Sequence, residues 1–256
     1  IRENSNTTFS YPGLVGHVAN HAMAGYMLDN VYSPAVAKAH RNVELHIHDL
    51  SGMNCYCMGL ALDELLYKGL DDIDGPPKHF SSAMSQMMNS VYLISQEING
   101  ALAYNAVDIL MAPYIRKDQL TYRQIKQIIK EFVYSVNIKG RIGHQTPFLN
   151  FQLDVPVPKR LQGKHPEIAG ELCNFTYDDL TWEIESFNRA LLEVMMNSKR
   201  VLAFPVINIG ITKDFNWDNK LADTMFQALA KIGQPTINNY FSGAYDPDAV
   251  KSMCCS

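Results

Sequence analysis

The feature that most constrains this chain is an alternation of two periodicities. Long stretches with apolar residues at helical spacing are separated by short segments bounded by Gly, Pro or polar residues. Helical spacing runs through Met84, Met87, Met88, Val91, Ile94, Ile98 and Leu102. It recurs in Ile125, Ile128, Ile129, Phe132, Val133 and Val136, after a Thr121/Gln124 capping box. Leu180, Ile184, Phe187, Leu191, Val194 and Met195 mark a third helix, and residues 217–230 a fourth. Strands are predicted at 45–49, 148–154, 206–212 and 236–240. Strands recurring between helical stretches form a mainly parallel sheet covered by helices. The expected organisation is one domain with a helical opening and an α/β body, with loops at Gly75-Pro76-Pro77 and 156–166. Such bodies place ligand chemistry at strand ends.

Charge and composition narrow the function. The chain is 256 residues long, 47% hydrophobic and 19% charged, with a formal charge of −4 and no block of Lys or Arg. A polynucleotide-binding protein carries a basic stripe, so no polynucleotide partner is expected. A mononucleotide is compatible, because one triphosphate needs few donors and a helix N-terminus. No apolar run is long enough to cross a bilayer and no signal peptide opens the chain, so the expected location is the cytoplasm, with no membrane partner. Ile1 and Ser256 read as cuts rather than natural ends. The five cysteines, Cys55, Cys57, Cys173, Cys254 and Cys255, are too few and too clustered for a disulfide scaffold.

Three constellations carry chemistry. On a strand, Leu45-His46-Ile47-His48-Asp49 puts His46 and His48 on one face, aimed at one volume. Two such imidazoles suit a metal, a phosphate or a substrate hydroxyl, and equally a satisfied polar pair at a strand end. A metal-dependent hydrolase would need further His or carboxylate ligands at later strand ends, and none is evident after Asp154 or Thr212. The second constellation is Cys57, after the predicted His strand, with Cys254 and Cys255, after the last one. Facing thiols exchange electrons by forming a disulfide, which suits a two-electron reductase. Third, the strand after Gly143-His144-Gln145-Thr146-Pro147 alternates Asn150, Gln152 and Asp154 with Leu149, Phe151 and Leu153. A polar strand face in an apolar protein fits either a lined cavity or a solvated edge.

The order of the motifs resembles a known family. Glu3-Asn4-Ser5-Asn6 and Ser10-Tyr11-Pro12-Gly13 are similar to the start of the anaerobic ribonucleoside-triphosphate reductase catalytic domain, and Ala39-His40 with His46-Ile47-His48-Asp49-Leu50 resembles the family's first barrel strand. Pro76-Pro77-Lys78-His79-Phe80, Ala112-Pro113-Tyr114-Ile115, Gln145-Thr146-Pro147-Phe148-Leu149-Asn150 and Phe204-Pro205 follow in family order. Ser252-Met253-Cys254-Cys255 resembles the tip of the family's catalytic finger loop.

The resemblance implies an α/β fold, the first half of a ten-stranded barrel of the glycyl-radical type. Residues 1–256 would be the N-terminal half of the catalytic barrel domain. It implies radical-based reduction of ribonucleoside triphosphates to 2′-deoxyribonucleoside triphosphates without oxygen. Cys255 would carry the thiyl radical and Cys57 would act on the other face of the sugar. His46, His48, Asn4 and Asn6 would bind substrate, and Cys254 and Cys55 are spare thiols for redox exchange. The implied cofactors belong to the full-length protein: a glycyl radical outside this chain, a structural zinc and ATP/dNTP effectors, with no metal on this piece. The implied partners are a radical S-adenosylmethionine activating enzyme with an iron–sulfur cluster and formate or a thiol redox protein as reductant. A homodimer is expected. This piece alone is expected to be inactive.

Overall fold

A computed structural model describes residues 9–70, 73–141 and 144–241. The helical opening is α1 (Tyr11–Tyr26), a π-type turn (Met27–Val31) and α2 (Pro34–Arg41). Ser10 starts α1 by accepting the Gly13 N–H, with Pro in the first turn where its missing donor costs nothing. The body follows as β1 (Met58–Leu60), α3 (Leu62–Lys68), α4 (Phe80–Ile94), β2 (Leu102–Tyr104), α5 (Val107–Lys117), α6 (Tyr122–Val136) and β3 (Leu149–Val155). A short antiparallel hairpin, β4 (Glu167–Ile168) and β5 (Glu171–Leu172), precedes α7 (Thr181–Met196), β6 (Val206–Ile211), α8 (Lys220–Ile232) and β7 (Thr236–Asn239).

The five long-range strands form one sheet in the order β1-β2-β3-β6-β7, every pair parallel. Each neighbour is reached through helices, as parallel pairing demands. The alternation expected in the third constellation decides the faces. Leu149, Phe151 and Leu153 of β3 and Ile207, Ile209 and Ile211 of β6 share one apolar cluster with α3 to α8. Asn150, Gln152 and Asp154 point the other way, beside Asn208 of β6 and Asn238 of β7.

Most helices lie where spacing put them. The Thr121/Gln124 capping box opens α6, with the Thr121 N–H donating to Gln124 Oε1 at 3.0 Å. Two expectations are corrected. Residues 45–49 are not a strand: they run from a bend at Leu45 through irregular chain into a turn at His48-Asp49, His40 Nδ1 takes the Ile47 N–H that a neighbouring strand would have taken, and Asp49 sits at φ 48. Short H-x-H alternation cannot make a strand where no partner offers a ladder. The long apolar stripe beginning at Met84 is also not one helix. It ends at Ile94, a turn carries Ile98 into the core, and Leu102 belongs to β2. The predicted strands at 148–154, 206–212 and 236–240 correspond to β3, β6 and β7.

Candidate active site

The polar face of the sheet is built from carboxamides. Asn208 Nδ2 donates to Asn150 Oδ1 at 2.7 Å, and Asn238 Nδ2 donates to Gln152 Oε1 at 3.2 Å. Gln152 Nε2 donates to Asp154 Oδ1 at 3.1 Å. The Gln152–Asn238 bond spans β6 above Gly210, whose register partners are Asp154 and Asn238. A Cβ at Gly210 would lie 2.5 Å from the Tyr240 ring and 3.0 Å from Gln152 Nε2, so the absent side chain is what lets both cross. Asn150, Gln152 and Asn208 are buried yet hydrogen-bonded, as buried polar groups must be.

Cys57 joins this face from the far edge. Met58 and Leu60 pack against the core, so alternation turns Gly59 and the preceding Cys57 the other way. Gly59 stands in register with Ala103 and Asn150. Gly59, with nothing within 4 Å of where a Cβ would sit, leaves room between Cys57 and the amides. The thiol is half-buried, free, and accepts the Ala101 N–H at 3.2 Å. Its neighbours hold it: the Asn99 N–H bonds to Cys55 O at 3.2 Å, the Gly100 N–H to Tyr56 O and the Met58 N–H to Ala101 O at 2.9 Å. A Cβ on Gly100 would strike Tyr56 O and lie 2.6 Å from Cys57 Sγ. Cys57 precedes β1, so it lies at the start of a strand and not after a His strand.

Close enough to the thiol to feel its charge is a cation that sequence reasoning missed. Arg141 is buried and donates to the carbonyl oxygens of Ile98 and Gly100. Burial pulls its guanidinium below the usual arginine range, while negative charge on Asp49, Tyr56 or Cys57 would oppose that shift. The signal available in the sequence was an Arg two residues before Gly143.

His46 and His48 are brought together, with ring centroids 5.8 Å apart, and His40 lies 5.7 Å from His46. His48 meets the Tyr56 ring edge-on at 4.8 Å, which places this row beside the Cys57 turn. Their nearness comes from turns, not strand alternation, and both are exposed rather than aimed into a buried pocket. Among the described residues no group of three or more His, Cys, Asp or Glu side chains is placed to hold a metal, so the third ligand that a hydrolase needs is not supplied there. Cys55 is exposed and free. Asn4, Asn6, Cys254 and Cys255 lie outside the described residues.

The second missed residue is Asp108, fully buried in the first turn of α5. Both its oxygens accept the Asp154 N–H, at 3.1 and 3.2 Å, and Asn188 of α7 donates to Oδ2 at 2.8 Å. Burial first, and then the charge of Asp154, push its carboxyl up to about 8. An acid inside the apolar run from Val107 to Ile115 was the visible sign.

These features define an α/β protein whose parallel sheet presents a cysteine and a row of amides on the face opposite its helices. A sequence model of the anaerobic ribonucleoside-triphosphate reductase family matches residues 3–256, and the chain belongs to that family. No curated protein matches it. Among solved structures it is similar to the anaerobic ribonucleotide reductase from Thermotoga maritima in complex with dATP and CTP. That pair is 18% identical with a TM-score of 0.71, over 93% of this chain and 44% of the other. The same Thermotoga maritima enzyme with glycerol in the active site is 20% identical, with a TM-score of 0.71 over 93% and 43% of the two chains. Another anaerobic ribonucleotide reductase is 20% identical, with a TM-score of 0.70 over 93% and 41%. The likeness is one of fold, and the chain spans less than half the length of these relatives. Among the described residues no helix is long and apolar enough to cross a membrane.

Proposed function

We propose that the chain supplies the first part of the catalytic barrel of a radical reductase converting ribonucleoside triphosphates to 2′-deoxyribonucleoside triphosphates without oxygen. The observation that carries the reading is the family match along residues 3–256, which takes in both Cys57 and the Cys254-Cys255 pair. The amide-lined face supports it: carboxamides both donate and accept, which suits an uncharged ligand part rich in hydroxyls, such as a ribose.

In the complete protein a stored glycyl radical supplies the oxidising equivalent. Cys255, as thiyl, takes the ribose 3′-hydrogen, forming S–H as C–H breaks. Cys57 gives its proton to the 2′-hydroxyl, which leaves as water. Two electrons and a further proton come from the external reductant, formate or a dithiol protein, and Cys255 then returns hydrogen to the 3′ carbon. The Ala101 N–H stabilises the thiolate that Cys57 leaves behind. Cys55 and Cys254 are spare thiols for a dithiol reductant. His46 and His48, beside Tyr56, and Asn4 and Asn6 are assigned to substrate contacts. A radical S-adenosylmethionine enzyme as activase, nucleotide effectors, a structural zinc elsewhere in the protein, a homodimer and a cytoplasmic location belong to the same reading.

The test uses the complete, activated protein and separates two steps. Cys255→Ser should abolish both 3′-hydrogen exchange and product, because an alcohol O–H is too strong a bond to give the needed radical. Cys57→Ser should keep 3′-hydrogen exchange while deoxynucleotide formation falls at least about a hundredfold, the scale of a lost acid. Deoxynucleotide formation by Cys255→Ser at the parent rate would sink the assignment.

A further inference from the structure

Strand β3 outruns β2. Their register pairs end at Tyr104 and Phe151, while β3 continues to Val155 against β6. The Asp154 N–H on the β2 side therefore has no strand carbonyl to meet. The chain after β2 turns through Ala106, held at φ 52, into α5, and this turn places the Asp108 carboxyl where the missing strand would lie. Both carboxyl oxygens take the Asp154 N–H, and Asn188 closes the site from α7. We propose that Asp108 is a positioning residue for the amide-lined face: its carboxyl continues the β3 ladder beyond β2 and so sets where Asp154, Gln152 and Asn238 stand.

The link to the face is short. Asp154 hangs from the backbone that Asp108 holds, Gln152 donates to Asp154, and Asn238 donates to Gln152. The charge state of Asp108 travels along it. Desolvation of a fully buried carboxyl favours its neutral form, and Asp154 adds repulsion, so Asp108 holds its proton well above the ordinary carboxylate range. Among the described residues no cation contributes to its charge balance. From β3 it faces Asp154, and from α7 the neutral Asn188; the charged groups of α7 nearby turn elsewhere, Glu185 to Asn219 and Arg189 to Glu193 and the Tyr122 ring. A protonated Asp108 needs an acceptor, and Asn188 Oδ1 is buried without a hydrogen-bond partner. A half-turn of the Asn188 amide lets that oxygen accept the Asp108 O–H. Ionisation reverses the amide and places a second negative charge beside Asp154, pulling on Gln152 and Asn238.

The experiment is nuclear magnetic resonance of the side-chain NH2 groups of Gln152 and Asn238 in this chain, titrated across about pH 6 to 10. In the parent protein both should shift with one midpoint at about 8. In Asp108→Asn they should stay still over that range, because a carboxamide accepts the Asp154 N–H and donates to Asn188 without titrating. Asp108→Leu removes the acceptor and should broaden or displace both signals at every pH. Stability gives a second reading that survives if the Leu variant does not fold. A carboxyl raised from 3.8 to about 8 stabilises the fold below its ordinary value, and that contribution is lost as pH rises through about 8. The parent urea midpoint should fall over that interval, and the Asp108→Asn midpoint should not. Static NH2 signals in the parent, a titration that persists in Asp108→Asn, or Asn and Leu variants equally damaged would each overturn the proposal. The role of the face in binding substrate rests on the function proposed above. The titration is read without substrate, so the two ideas fail separately.

Discussion

Gly210 and Gly100 are required by their neighbours, not by their own backbone angles. At Gly210 the obstructing atoms are the edge of the Tyr240 ring and the end of Gln152. Both side chains can swing, so Gly210→Ala should cost about 1–3 kcal/mol, the usual range for overpacking. At Gly100 the first obstruction is the Tyr56 carbonyl oxygen, with Cys57 Sγ behind it. Backbone held by the Gly100 and Asn99 hydrogen bonds cannot step aside as cheaply. Gly100→Ala should therefore have the lower urea midpoint of the two, and its Cys57 should label faster with iodoacetamide relative to Cys173. A higher midpoint for Gly100→Ala than for Gly210→Ala would show that the Cys57 turn is softer than its contacts imply. Cys57 and the polar alternation of Asn150, Gln152 and Asp154 were visible in the sequence because motif and period carry that information. Arg141 and Asp108 left a sign in the sequence but not their roles, which come from burial against distant backbone: Ile98 and Gly100 for one, Asp154 for the other.

Elements were legible in proportion to their local signals. Helix α6 has a capping box at its start and an apolar stripe of Ile125, Ile129, Phe132, Val133 and Val136, all buried. Thr121→Ala removes the cap and should lower stability by about 1 kcal/mol, read as a drop in urea midpoint at constant slope. No change would mean that tertiary packing, rather than the cap, holds this helix start. Strands β1 and β2 passed unnoticed because three residues each, Met58–Leu60 and Leu102–Tyr104, are too short to show a period. They are strands because β3 and the helices around them supply the ladder and the cover. Leu102 misled in a specific way: it follows Ile98 by one helical step in sequence, although a turn and a new strand separate them in space. At 45–49 the error ran the other way, since the pattern alternated and no strand came to pair with it.

At the scale of the molecule, the apolar core is one contiguous cluster reaching from α3 to α8, with all five sheet strands in contact with it. Helix α1 stands apart. It has no buried residue, and Tyr11, Leu14, Val15, Val18 and Tyr26 are exposed, while the first buried apolar side chain in the described chain is Met27. Tolerance to truncation follows buried area and hydrogen bonding, not position in the sequence. Removal of residues 1–26 should therefore leave the unfolding of the rest nearly untouched, with a urea midpoint shifted less than by Thr121→Ala. The loss of five exposed apolar side chains should also make the shortened chain less prone to associate, measured by light scattering at matched concentration. Far-UV circular dichroism reports the helices throughout, and tryptophan fluorescence the neighbourhoods of Trp182 in α7 and Trp217 before α8. Both probes should give one coincident transition in the shortened chain, as a single core requires. Two separated transitions, or a midpoint drop larger than that of the cap variant, would mean that α1 stabilises the fold despite burying none of its own side chains.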